Sequence, residues 1–145
     1  MELFIASDHA GLELKEELKK NFPLINWIDL GTHSKESTPY PQHAQKFCQK
    51  VLEKKSGDLI DPQGVLICGS GVGVSMQANR FKGIRAALCW NEEVAKLSRK
   101  HNASNVLCLG ARLISTQMAS SIFKTWIETS FESGRHLERI KMMDL

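Results

Sequence analysis

The chain reads as an α/β protein, because five short apolar runs of strand character alternate with amphipathic helical stretches along its whole length. Strand followed by helix, five times over, predicts a parallel sheet, since parallel neighbours need a crossover connection that a helix supplies. Crossovers are right-handed, so helices should cover both faces in three α/β/α layers of a doubly wound sheet with five parallel strands. The length of 145 residues suits one domain, 1–145, with a core of its own.

Each element has its own justification. Leu3–Ala6 is a first strand, and Ala10–Asn21 a first helix with Leu14 and Leu18 one turn apart. Trp27–Leu30 is a second strand, and Gly31–Pro41, with its Gly, His, Ser, Thr and two prolines, is a loop. From Pro41 the residues Ala44, Phe47, Cys48, Val51 and Leu52 follow the spacing of one helix face. Ser56–Gly64, containing Pro62, is a polar turn before a third strand, Val65–Cys68. A glycine cluster then opens a helix over Val72–Asn79, and Ala86–Cys89 is a fourth strand. Asn91 is placed to cap the next helix, with Glu92 and Glu93 in the turn where the dipole favours acids. Asn105–Leu109 is the fifth strand. Ser115–Phe131 is a last long helix whose buried stripe is Met118, Ile122, Phe123, Trp126 and Ile127, with Gly134 as its stop. A short basic tail, Arg135–Lys141, remains.

Composition excludes several classes of function. A net charge of +3 and no run of basic residues longer than Lys54-Lys55 argue against nucleic acid as a partner. No stretch of about 18 apolar residues is present, so no membrane span is expected. Met1–Ser7 lacks the basic flank and cleavage site of a secretory signal. The four cysteines stand about twenty residues apart and never as Cys-x-x-Cys, which supports neither a metal site nor a disulfide framework. Reduced thiols and a cytoplasmic location are expected.

Chemistry concentrates in Cys68-Gly69-Ser70-Gly71-Val72-Gly73-Val74-Ser75. A buried strand ends on a thiol, three alternate glycines let the backbone turn its N–H groups toward an anion, and a helix begins. That field would bring the thiol from about 8.5 into the activated range of about 3.5–7.5. A thiolate beside an anion cradle suits proton transfer next to a carbonyl, the base taking the proton and the amides holding the developing oxyanion. Other glycine motifs fail on spelling. Val74 stands where a dinucleotide fingerprint needs Gly and where a cysteine phosphatase loop needs Arg, and no lysine completes a Walker A loop. The bland alternative is a glycine turn with an inert core cysteine.

In such sheets ligands sit beyond the carboxyl ends of the strands, near the switch in strand order. Asp8 and His9 follow strand one to that rim, where they could grip a ligand or where Asp8 could simply cap the helix. Arg112 follows strand five to the same rim. Arg135 and Arg139 are spaced i, i+4, so on a helix they would point together, either at a phosphate or at solvent. His101 and Asn102 follow the fourth helix, before strand five, and Tyr40 lies between two prolines. His33, His43 and His136 have no comparable support in the sequence.

Together the blocks Ser7-Asp8-His9-Ala10-Gly11, Thr38-Pro39-Tyr40-Pro41, Ile67–Gly73, Asn79–Ala86, Ser98–Asn102, Asn105–Arg112 and Gly134-Arg135-His136 resemble the type B ribose-5-phosphate isomerases and their allose- and galactose-6-phosphate relatives. The resemblance spans essentially the whole chain. It implies a Rossmann-like sheet and a cofactor-independent aldose–ketose isomerase with no metal. Cys68 would be the general base, Ser70 the hydroxyl beside it, and Gly69, Gly71, Val72 and Gly73 the enediolate cradle. His101 would open the sugar ring. Asn102, Asp8, His9 and Tyr40 would bind the substrate, and Arg112, Arg135 and Arg139 its phosphate. It further implies homodimers or homotetramers whose sites are completed across the interface, with the tail, about 132–145, packing on the partner subunit. Two departures stand out: Pro39 before Tyr40, where relatives often have an acid, and a longer turn around Asp58–Gln63. The alternatives are an isomerase of six-carbon sugar phosphates, a sugar-phosphate-binding protein without turnover, and a flavodoxin-like or receiver domain. The last lacks the expected acidic cluster at its strand ends.

Overall fold

The computed structural model describes residues 1–54 and 59–144. Five strands, β1 (Glu2–Ser7), β2 (Asn26–Asp29), β3 (Gly64–Cys68), β4 (Ala86–Leu88) and β5 (Val106–Gly110), form one sheet in the order β2-β1-β3-β5-β4. All pairings are parallel. The helices are α1 (Leu12–Asn21), α2 (Tyr40–Glu53), α3 (Val72–Ala78), α4 (Glu92–Asn102), α5 (Thr116–Glu128) and α6 (Arg135–Lys141).

Side chains alternate across a strand, so each central strand feeds two cores. Leu3 and Ile5, Val65 and Ile67, and Leu107 and Leu109 face one side, where Leu14 and Leu18 of α1 and Ala119, Ile122, Phe123 and Trp126 of α5 cover them. Phe4 and Ala6, Leu66 and Cys68, and Val106 and Cys108 face the other, against Ala44, Phe47, Cys48 and Val51 of α2 and Val74 and Ala78 of α3. Each large apolar side chain fully buried this way contributes about 1.5–3 kcal/mol. By this alternation the Cys68 sulfur emerges on the α2–α3 face.

Several expectations are corrected at element ends. The first helical turn is a 3-10 turn, His9–Gly11, capped by Asp8, and α1 proper starts at Leu12. Met118 is 39% exposed and is not part of the α5 stripe. Ala119 takes the sheet-facing position, at the i, i+3, i+4, i+7 spacing with Ile122, Phe123 and Trp126, which leaves Met118 on the flank and Ile127 half-buried. Gly134 does not stop α5, which ends at Glu128 with Thr129 extended; with φ +59 it stands instead at the start of α6. The basic tail is therefore itself helical, and α6 packs on α4. The longer turn read around Asp58–Gln63 lies partly outside the described residues.

One ionic cluster ties α1 to the end of β2. Lys15 is fully buried and places Nζ 2.6 and 2.7 Å from the two Asp29 carboxylate oxygens. Lys19 Nζ lies 2.7 Å from Oδ2, and the Gly31 N–H donates to Oδ1 at 2.9 Å. Burial opposes the Asp29 charge, but these donors outweigh it and hold the carboxyl below its usual range. The cluster fixes where the β2–α2 loop begins. No described helix is long and apolar enough to cross a membrane.

Candidate active site

The strand order reverses between β1 and β3: from β1 the chain moves to β2 on one side, and from β3 toward β4 on the other. A crevice beyond the carboxyl ends of these two strands is where such a sheet binds ligands. A cavity of about 310 Å³ lies there, lined by Asp8, Tyr40, Cys68, Gly69, Ser70, Gly73, Arg112 and Leu113. Larger hollows exist on the molecule, one of about 590 Å³ beside α1, but this cavity is the one lined by Cys68 and the glycine turn.

Backbone geometry after β3 explains the glycines. Gly71 has φ +76, and its N–H turns back to donate to Cys68 Sγ at 3.2 Å. A Cβ there would sit 2.5 Å from Leu88 Cδ1 and 2.9 Å from the Leu109 carbonyl carbon. The Val72 N–H donates to Ser70 Oγ at 3.2 Å, so this hydroxyl braces the turn. The residues after β5 close the opposite wall: Ala111 N–H donates to the Cys68 carbonyl and Arg112 N–H to the Gly69 carbonyl, both at 2.9 Å. The Arg112 side chain lies over Gly69, and the Tyr40 ring lies over Gly73.

Cys68 differs from the other thiols in its surroundings. Burial pushes Cys48 up to about 12 and Cys89 up to about 11, and raises the fully enclosed Cys108 well above the ordinary range. Cys68 alone among the four has its sulfur at a strand end, beside a cavity and under a backbone N–H. It is 4% exposed, yet it is not walled off.

Asp8 caps the first helical turn, Oδ1 accepting the N–H groups of Ala10 and Gly11 at 3.0 and 3.2 Å, and the residue also lines the cavity. His9 sits beside it and accepts the Thr38 N–H on Nδ1 at 3.1 Å.

The remaining expected site residues are elsewhere. His101 and Asn102 end α4, ahead of Val106, which pairs with Gly64 at the amino end of β3. Four residue steps of strand, about 13 Å, separate that level from Cys68. Asn102 borders a different hollow, with Asn79, Arg85 and Asp144. Arg135 and Arg139 are exposed on α6. One chain thus assembles Cys68, the cradle, Asp8, Tyr40 and Arg112, but not the His101 group.

The His101 group has a structure the sequence did not disclose. The rings of His101 and His136 stack at 4.4 Å and 15°, and Glu132 Oε2 lies 3.9 and 3.8 Å from their Nε2 atoms. Lys100 Nζ is 2.9 Å from the other Glu132 oxygen and, ahead of the two imidazoles, holds that carboxyl low. Burial first, then His101 and Arg135, push the His136 pKa down. Among the described residues these three are the one set of His, Cys and acid ligand atoms within 4.8 Å of each other. Nearly parallel rings aim their nitrogens side by side rather than at one point, and Lys100 already occupies the carboxylate, so the set is poorly shaped for a metal.

A parallel doubly wound sheet with a thiol, an amide turn and an arginine around its switch point defines the class: a doubly wound α/β protein with a polar cleft at the carboxyl ends of its central strands. The chain belongs to the ribose/galactose isomerase family, whose model matches residues 3–143. It is 40% identical over 136 residues to ribose-5-phosphate isomerase B of Escherichia coli, covering 92% of this chain and 88% of that one. A crystal structure of ribose 5-phosphate isomerase from Thermotoga maritima superposes with a TM-score of 0.91 at 44% identity, over 99% of this chain and 97% of that one. The Mycoplasma genitalium ribose-5-phosphate isomerase B, crystallised with bound ribulose 5-phosphate, matches with a TM-score of 0.90 at 39% identity, over 98% and 93%.

Proposed function

We propose that the protein interconverts ribose 5-phosphate and ribulose 5-phosphate, with Cys68 as the base. One observation carries this reading: the Cys68 sulfur receives the Gly71 N–H and borders a cavity that also holds Arg112, Asp8 and Tyr40. The relatives that are ribose-5-phosphate isomerases, one of them crystallised with ribulose 5-phosphate, support this choice of substrate.

The steps follow from the atoms available. The Cys68 thiolate takes the proton from C2 of the open-chain aldose. The electron pair moves to form the C1–C2 double bond, and O1 becomes the oxyanion of a cis-enediolate. In the first turn of α3 the Val72 N–H is held by Ser70 Oγ, while the Gly73 and Val74 amides have no intrahelical carbonyl to serve and are the natural donors to that oxygen. A proton then passes from O2 to O1, and the Cys68 thiol returns its proton to C1, leaving the ketose and a thiolate. No net proton is gained or lost. Arg112 anchors the anionic end of the substrate, with Asp8 and His9 contacting it.

His101, Asn102, Arg135 and Arg139 enter this scheme from a second copy of the chain. They stand at the opposite rim from their own Cys68, so a homodimer that places the α4 end and α6 of one copy over the cavity of the other would complete the site. His101 would then open the furanose, and the tail would pack on the partner. Exposed Met76 on α3, Trp90 beside edge strand β4, Leu97 on α4 and Met142 just after α6 are suited to cover such an interface.

A coupled assay for ribulose 5-phosphate formation, run on wild type and Cys68→Ala, tests the reading. General base catalysis contributes about 10²–10⁴-fold, so the variant should fold and lose at least that much of kcat. A variant with half the wild-type kcat removes Cys68 from the mechanism. Comparing kcat/KM on ribose 5-phosphate and allose 6-phosphate decides between five- and six-carbon substrates.

A further inference from the structure

We infer that His43, acting through Thr38, is a positioning residue that holds His9 in the tautomer with its proton on Nε2, so that His9 meets the substrate as a hydrogen-bond donor. The inference deepens the isomerase reading and rests on it only for its kinetic arm.

Three contacts carry it. The Thr38 backbone N–H donates to His9 Nδ1 at 3.1 Å. A ring nitrogen that accepts an N–H has no proton of its own, so the neutral imidazole carries its hydrogen on Nε2. The Thr38 hydroxyl lies 3.0 Å from His43 Nε2, which fixes the residue that fixes His9. Thr38 also precedes Pro39, which confines it to extended backbone, and Tyr40 two residues on places its ring over Gly73 of the cradle. His43 thus pins a short segment that sets His9 at one end and Tyr40 at the other.

His43 is chemically suited to this. It lies half-buried in the first turns of α2, and burial, which is the largest influence, pushes its pKa below the ordinary 6.5. Asp8 at the end of β1 pulls it up, while Lys46 on α2, Lys15 on α1 and His9 push it down. The ring is therefore neutral at neutral pH and can share a hydrogen bond with a hydroxyl. A substrate phosphate oxygen can only accept and so needs a donor, whereas the other His9 tautomer would present a lone pair to it.

The test uses long-range proton–nitrogen NMR of the histidines in the full-length protein, which reports which nitrogen of His9 is protonated. Wild type should show His9 as the Nε2–H form, His43→Phe and Thr38→Val should show a mixture of tautomers, and His43→Gln, which keeps a polar group, should restore the single form. In kinetics, weakening one ligand hydrogen bond predicts a rise in KM of about three- to tenfold with kcat nearly unchanged. His9 protonated on Nδ1 in wild type, or a single Nε2–H form in both His43→Phe and Thr38→Val, overturns the inference. Should His43→Phe fail to fold, Thr38→Val, which retains the backbone N–H and the branched shape, decides alone. If wild type shows no turnover, the isomerase reading falls while the NMR result still judges the tautomer lock.

Discussion

In a Gly71→Ala protein a methyl group must fit where Leu88 Cδ1 lies 2.5 Å and backbone atoms of Leu109 and Gly110 lie 2.9 and 3.0 Å away, at a φ of +76. The left-handed conformation costs an alanine about 1–2 kcal/mol. Forcing a methyl against a strand backbone that cannot retreat adds about 1–3 kcal/mol. The sum, about 2–5 kcal/mol, corresponds to a fall in Tm of about 8–20 °C at about 4 °C per kcal/mol for a chain of this size. The same movement withdraws the Gly71 N–H from Cys68 Sγ, and misplacing a catalytic group by about 1 Å costs about 10²-fold in rate. Gly73→Ala provides the contrast. Its Cβ would meet Tyr40 Cε2 and Cζ at 2.5 Å, but these are the outer end of an exposed side chain that can swing aside. Helical alanine is also better than glycine by about 0.5–1 kcal/mol, so Tm should hold while KM rises. Thermal unfolding and the isomerase assay on both variants check this. A Gly71→Ala protein that melts within 3 °C of wild type (under about 1 kcal/mol) and keeps most of its kcat would refute the reasoning.

Other outcomes can be checked alongside it. Lys15→Met should lose about 1–3 kcal/mol in urea unfolding, because half-buried Asp29 is left with only Lys19 and the Gly31 N–H to offset its charge; a loss near zero would mean that Lys19 suffices. Cys48 and Cys89 are raised from an ordinary 9.0 to about 12 and about 11 in the folded chain. The unfolded chain therefore releases these protons first, so stability is full below pH 9 and declines as pH rises toward 11 and 12. Cys48→Ala should flatten that decline in denaturant titrations at successive pH values, and an unchanged slope would exclude the thiol as its source. Mixing Cys68→Ala with His101→Ala protein should recover about a quarter of wild-type activity through mixed dimers with one intact site, if random exchange occurs. No recovery after proven exchange would place both residues in the same subunit's site.

Local pattern sufficed for the strands, the main helices and the Cys68–Gly73 turn, because strand alternation, helix spacing and glycine punctuation act over a few neighbouring residues. The geometry of that turn was legible for the same reason: a thiol, its amide donor Gly71 and the brace Ser70 lie within four positions of each other. The register that carries Arg112 to the same rim also followed, since a parallel sheet brings every strand's carboxyl end to one edge.

Folding alone decided the contacts between distant segments. His43 looked idle in sequence, and only the packing of the β2–α2 loop against the start of α1 joins it through Thr38 to His9. Lys15 and Asp29 belong to different elements, and their burial depends on α1 lying across the end of β2. The stack of His101 on His136 under Glu132 required α6 to dock on α4, in a stretch where the sequence suggested a solvated tail. The same physics separates His101 from Cys68: α4 runs antiparallel to the strands, so its end must lie at the rim where the strands begin. Short-range preferences determine what each segment becomes; the distances between segments follow from closing two apolar cores around one sheet.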